Sequence, residues 1–239
     1  MKDGLNLKDV VLLGRTFAEY SEYFSLCDFD LKREKVLDMG AGVSSFCAEA
    51  CQRGYSVLAA DPIYGLPASD LSRKCEADLD EVVRQLPRVL HNYNWEFYRD
   101  VEHLRECRER AYRAFLPHYV ERPKKYVRAC LPSLPFGDGE FTLALVSYFL
   151  FLYDDRLDYE FHRRSLIELA RVTSGEVRVY PLTNLRAEKS SMVDVLMANG
   201  GRADLNFEVR KVEFEFLRNA DEMLIVRQVR DREKGATAS

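Results

Sequence analysis

Two short stretches carry residue types that could do chemistry together. In VLDMGAGVSSF, Val36 to Phe46, an apolar run meets an acid, Asp38, and then two glycines, Gly40 and Gly42, with Ala41 between them. In VLAADPIY, Val57 to Tyr64, a second apolar run ends at Asp61-Pro62, and Asp61 stands 19 positions after Gly42. Glycines at a strand end permit positive φ and let a ligand approach the main chain. An acid about 20 residues further on, at the end of the next strand, accepts hydrogen bonds from ribose hydroxyls. Together the two features point to a nucleoside-containing ligand. Either one alone also describes a tight strand-to-helix turn that binds nothing.

The details around the glycines narrow the ligand. A dinucleotide fingerprint requires G-x-G-x-x-G with a helix N-terminus facing a pyrophosphate. Here Ser45 occupies the third glycine position, and the charge of Asp38 would repel a diphosphate. An acid in that place suits a cationic group such as an amino-acid ammonium, which favours S-adenosylmethionine over NAD.

These residues need elements to hold them. A helix is expected over Lys8–Leu26, a strand over Lys35–Met39, a helix over Ser44–Arg53 and a strand over Tyr55–Ala60. A helical, charge- and aromatic-rich region follows from about Ala68 to Tyr119, closed by Pro117 and Pro123. Within it Val101–Phe115 is the clearest helix, from its apolar period and its Glu106–Arg110 and Glu109–Arg113 pairs. Strands over Tyr126–Cys130, Phe141–Ser147 and Glu176–Tyr180 alternate with a helix over Glu160–Val172. A helix over Ser190–Asn199, stopping at Gly200-Gly201, precedes strands Phe207–Leu217 and Met223–Val229. A short turn around Asn219-Ala220-Asp221 makes that last pair antiparallel. The fold class is therefore α/β: a doubly wound, mostly parallel seven-stranded sheet with an antiparallel C-terminal strand and a helical insertion. One domain spans 1–230, with the N-terminal helix 8–26 and the insertion 63–125, and a disordered tail covers 231–239.

Composition excludes several classes. A net charge of −4 gives no support to a nucleic-acid binder, which carries a basic excess. No apolar run approaches the roughly 20 residues of a membrane span, and MKDGLNLKDV lacks a signal-peptide core. The six cysteines are scattered, as reduced thiols of a cytoplasmic protein are. Cys47 and Cys51 share a helix face but have no third ligand nearby, so they read as small buried hydrophobes and no metal is expected.

The chain resembles the class I, Rossmann-like S-adenosylmethionine-dependent methyltransferases. VLDMGAGVSSF looks like their first motif, VLAADPIY like the second, and LPSLPFGDGEFTLALVSYFLFLY like the third and fourth. EVRVYPL is similar to their fifth strand, and the likeness spans about Val36 to Val229, interrupted by Ile63–Lys125. LPSLPF, FLFLY, DYEFH and EVRVYPL carry a closer likeness to a bacterial group of unassigned substrate. The resemblance implies a cofactor site made of Asp38, Gly40, Ala41, Gly42, Asp61, Pro62, Leu131 and Ser147. There are departures. Cys130 stands where the family has an acid for the adenine amino group, so main-chain groups around Leu131–Leu134 are expected to hold the base. Ser147-Tyr148-Phe149-Leu150 replaces the Asn/Asp-Pro-Pro-aromatic motif of enzymes that methylate base amines.

Methyl transfer from a sulfonium needs alignment more than acid–base help; orientation alone supplies about 7–11 kcal/mol. His162 is the candidate base and Tyr148 the candidate for shaping an acceptor pocket, each set against a role as core filling. His162 shares a helical face with Leu166, Leu169 and Ala170, which favours a packed, hydrogen-bonded histidine. Arg15, with Tyr20 and Tyr23, could close over the methionine part of the cofactor, and HNYNWEFY at His91–Tyr98 could form a lid or a homodimer surface. The expectation is methyl transfer to a small-molecule acceptor. A non-catalytic S-adenosylmethionine or S-adenosylhomocysteine sensor is the alternative, and a nicotinamide-dependent oxidoreductase the third.

Overall fold

The computed structural model describes residues 4–7, 9–26, 31–199 and 204–229; Cys27, the expected Gly200-Gly201 helix stop and the expected tail 231–239 lie outside them. The strands are β1 Lys35–Met39, β2 Ser56–Asp61, β3 Tyr126–Arg128, β4 Phe141–Ser147, β5 Thr173–Tyr180, β6 Leu205–Lys211 and β7 Glu222–Gln228. They form one sheet in the order β3-β2-β1-β4-β5-β7-β6. β7 runs antiparallel to both β5 and β6, and all the other pairings are parallel. β1 and β4 are buried along nearly their whole length because helices cover both faces. β1 lies between β2 and β4, so the chain order reverses there and a crevice opens beyond the strands' carboxyl ends.

The helices are α1 Phe17–Tyr23, α2 Phe46–Gln52, α3 Ala68–Gln85, α4 Val101–Glu121, α5 Tyr159–Val172 and α6 Ser191–Asn199. One apolar cluster joins a sheet face to α1–α4, and a second joins the opposite face to α5 and α6. Along β1, Leu37 and Met39 belong to the second cluster and Val36 to the first, as alternating strand side chains require. Asp38 therefore points beneath α1.

Three expectations need correction. Pro117 lies inside α4, which continues to Glu121. The turn beyond it is held by tertiary packing: Tyr119 lies 5.3 Å from Phe115 and 5.3 Å from Tyr126, ring to ring. The β6–β7 connection is longer than a tight turn, running over 212–221, and it buries Phe214, Phe216 and Leu217.

The N-terminal helix is the third. It is confined to Phe17–Tyr23, opened by a capping box between Thr16 and Glu19. Residues 4–7 and 9–15 form an extended strap. Its amides bond to side chains of other elements in place of a helical ladder. Asn6 donates to Gln85 at 2.8 Å, Val11 to Tyr153 Oη at 3.3 Å, Leu12 to Asp78 at 2.7 Å and Arg15 to Ser44 at 3.1 Å.

Candidate functional site

The three strand ends Met39, Asp61 and Ser147 border one cavity of about 180 Å³, roofed by Val10–Leu13 of the strap. Gly40 and Gly42 form its floor with φ of +71° and +55°, a backbone that disfavours any side chain. A Cβ at Gly42 would meet no atom within 4 Å, so the space over that glycine is open. Ala41, Pro62, Leu131 and Arg15 join the same wall. The two motifs read from the sequence thus converge, and Lys74 and Phe149 complete the lining.

Asp61 turns toward the glycines. Its Oδ2 accepts from Gly42 N at 2.9 Å and its Oδ1 from Ile63 N at 3.1 Å. Each carboxylate oxygen has a second lone pair, so acceptor capacity remains for a ligand hydroxyl. Burial raises its pKa above the ordinary value, against the pull of those two amides.

Asp38 sits behind this wall and does not line it. It is fully buried under α1, where Tyr20 Oη donates to Oδ1 at 3.0 Å and Oδ2 has no partner. Desolvation outweighs the Tyr20 bond and, with nearby Asp61, pushes its pKa up to about 8. An uncompensated buried oxygen costs about 1–3 kcal/mol, which a cation or donor reaching it would recover.

Arg15 is held by its main chain. Ser45 N donates to the Arg15 carbonyl at 2.9 Å, and Gly14 passes so close that a Cβ there would lie 2.4 Å from the Val43 carbonyl oxygen. The first turn of α2 is thereby capped by a protein carbonyl, where a dinucleotide's pyrophosphate would have to sit. The guanidinium lies 3.5 Å from the Tyr148 ring centroid, its Nη1 donates to Leu13 O at 2.9 Å, and its Nε is buried without an acceptor. No carboxylate lies in ion-pair contact with Arg15 among the described residues.

Beneath this stretch is a buried network. Arg108 donates to Glu19 at 2.6 Å, to Tyr98 Oη at 2.6 Å and to the Gly14 carbonyl at 3.0 Å, while Tyr98 also donates to Glu19. Desolvation pushes the Glu19 pKa up, but the Arg108 charge, the Tyr98 bond, the Arg15 charge and the Thr16 amide together hold it below its ordinary value.

Of the two candidates for catalysis, only Tyr148 borders the cavity. His162 is a core residue: fully buried on α5, its Nδ1 lies 2.7 Å from the Asp158 carbonyl and its Nε2 2.9 Å from the Leu150 carbonyl. Both nitrogens are engaged with main chain, so no ring nitrogen faces the crevice. The helical face it shares with Leu166 and Leu169 is the signal for this.

A second, smaller cavity of about 80 Å³ lies beyond Arg15 and Tyr148 and shares both with the first. Leu5, Leu7, Val11 and Leu13 of the strap line it, with Tyr93 from the insertion and Phe216 from the 212–221 connection. The expected helix over Lys8–Leu26 hid the role of Val11 and Leu13 and left Leu5 and Leu7 outside any element; the continuous apolar run Val10–Leu13 fits a buried extended segment as well as a helix. Tyr93 is the member of HNYNWEFY that borders a cavity; Trp95 and Tyr98 pack on Phe216.

No protein-family profile matches the chain. A protein of Methanocaldococcus jannaschii, described as uncharacterized protein MJ0045, is 39% identical over 225 residues, covering 94% of this chain and 99% of that one. Among solved structures, the PH0226 protein of Pyrococcus horikoshii superposes with a TM-score of 0.50 at 14% identity, over 88% of this chain and 90% of that one. A SAM-dependent methyltransferase of Methanosarcina mazei does so with a TM-score of 0.47 at 13% identity, over 86% and 98%. The sheet is the seven-stranded, Rossmann-like arrangement of class I methyltransferases, with a single antiparallel strand near its C-terminal end.

Proposed function

We propose, for a chain that belongs to the family of uncharacterized protein MJ0045 of Methanocaldococcus jannaschii, that it is an S-adenosylmethionine-dependent methyltransferase acting on a small-molecule acceptor. The observation that carries this reading is the bond from Gly42 N to Asp61 beside open space over Gly42. That arrangement leaves a carboxylate and bare main chain on one wall, the requirements of an adenosyl group.

The residues present fit such a group. Asp61 would accept from the ribose hydroxyls, and Leu131 and Pro62 would flank the base. Arg15, on the cavity wall, would face the carboxylate of the amino-acid end, and Asp38, behind the wall and neutral when the site is empty, would ionise to answer its ammonium; each keeps a buried polar atom without a partner. When bound, the cofactor supplies an activated methyl on a sulfonium. The protein's work is then to orient, to exclude water and to hold the acceptor in line. Tyr148, bordering both cavities, would shape that approach. The α2 first turn, capped by the Arg15 carbonyl, speaks against a nicotinamide dinucleotide.

Calorimetry tests this. The wild-type protein is expected to bind S-adenosylmethionine and S-adenosylhomocysteine and not NADH. Asp61→Ala and Gly40→Val are each expected to abolish that binding while leaving the circular dichroism spectrum unchanged. Wild-type affinity in either variant would defeat the assignment. Cofactor binding with no transfer of labelled methyl to any cell-extract component would make the protein a sensor.

A further inference from the structure

The smaller cavity has a chemistry of its own. Its walls are leucines, valines and aromatic rings, and among the described residues its lining includes no histidine, lysine, aspartate or glutamate. The polar groups at its border are tyrosines and the guanidiniums of Arg15 and Arg108. Arg108 is neutralised by Glu19 at 2.6 Å. Among the described residues Arg15 has no carboxylate in ion-pair contact, and its Nε is buried without an acceptor. The cavity therefore offers an apolar enclosure with one unmatched positive charge at the wall it shares with the glycine crevice.

We propose that this cavity is the acceptor site and that it takes a small apolar carboxylic acid, methylated on its carboxylate oxygen. The inference rests on the methyltransferase reading above. Its argument is the missing base. A methyl acceptor must present a lone pair, and a protonated one needs a group to remove its proton. Burial holds Tyr148 and Tyr153 in their protonated forms, so neither is free to take a proton from the acceptor. The acceptor must then present its lone pair without help, as a neutral nitrogen base or as an anion, and the positive Arg15 guanidinium at the wall favours the anion. At neutral pH a carboxyl group, with an ordinary pKa near 4, is ionised, whereas thiols near 8.5 and phenols near 10 are mostly not. An anion also needs a counter-charge in such walls, and Arg15 supplies it. With five donors in a planar fork, one guanidinium can serve the cofactor's carboxylate and the acceptor's together.

The step balances without a proton. A bond forms between the methyl carbon and the carboxylate oxygen as the carbon–sulfur bond breaks. Its electron pair stays on sulfur, so a sulfonium and a carboxylate become a neutral thioether and a methyl ester.

The cavity is smaller than the roughly 150 Å³ that accommodates a benzene, so an acceptor of that size needs the strap displaced outward. Calorimetry of the full chain with benzoate, phenylacetate and isovalerate, each beside its amide, in the presence of S-adenosylhomocysteine, reads the site directly. The acids are expected to bind at least tenfold more tightly than the amides. Leu104→Phe and Leu79→Phe, which fill the cavity from residues that do not border the glycine crevice, are expected to lose acid binding and keep S-adenosylhomocysteine binding. Labelled methyl is expected in a product that releases methanol in base. Equal binding of acids and amides, label in a base-stable product, or no acid binding while S-adenosylhomocysteine binds would each overturn the inference. Failure of S-adenosylhomocysteine itself to bind would instead overturn the methyltransferase reading.

Discussion

Asp38 sits in a fully buried place with one oxygen bonded to Tyr20 and the other to nothing. Its pKa, raised from 3.8 to about 8, means that the ligand-free protein keeps this group mostly protonated at pH 6 to 7. The sign for stability follows. The unfolded chain releases the proton near 3.8 and the folded chain near 8, so this group's contribution to stability falls as pH climbs between them. The sign for binding is opposite. An ammonium is attracted to the ionised form, so S-adenosylmethionine affinity is expected to rise by up to tenfold per pH unit from pH 6 toward 8 and then to flatten. Asp38→Asn is expected to remove that dependence, and titration calorimetry across the range would show it. The acid was legible in the sequence as a charge beside the glycines. Its burial was not, because which face of β1 lies under α1 depends on where α1 packs.

The strap is the element whose form departs most from the sequence reading. Its apolar residues looked helical in composition, yet the segment is extended because partners far along the chain take its amides. Asp78 of α3 accepts from Leu12 and also pairs with Lys74 at 2.9 Å. Val10–Leu13 line the glycine crevice, so loosening this segment alters access to it. A hydrogen bond to a charged group contributes roughly 1.5–3 kcal/mol. Asp78→Ala is thus expected to accelerate hydrogen exchange at the Leu12 amide by about one to two orders of magnitude, and to speed cofactor association. Unchanged exchange there would mean that the strap is held by its apolar side chains alone. The insertion behaves differently. α3 and α4 were readable as helices, but their contribution to the smaller cavity comes through single residues such as Leu79, Leu104 and Tyr93, whose convergence no local pattern announces.

At the scale of the whole molecule, one sheet carries both the fold and the crevice, and ligand occupancy should be felt by global unfolding. Among the described residues no helix is long and apolar enough to cross a membrane. S-adenosylhomocysteine at about 100 times its dissociation constant is expected to stabilise the protein by about 2.7 kcal/mol. For a chain of this length that corresponds to a rise of roughly 5–11 °C in melting temperature. NADH at the same concentration is expected to give none, and a thermal scan distinguishes the two.

The sequence by itself determined the sheet and its ligand edge. Apolar runs alternating with helical periods, ended by Gly40, Gly42 and Asp61, reproduce β1, α2 and β2 within a residue or two, because strand burial and glycine turns are local consequences of residue type. Tertiary structure alone decided what surrounds that edge. It made 4–7 and 9–15 a strap, carried Pro117 into α4, drew 212–221 over the insertion, and placed His162 in the core while leaving Arg15 between two cavities. Apart from His162, whose helical face already favoured a core place, each of those outcomes depends on bonds or contacts between residues distant in the chain, about which periodicity within a short window holds no information.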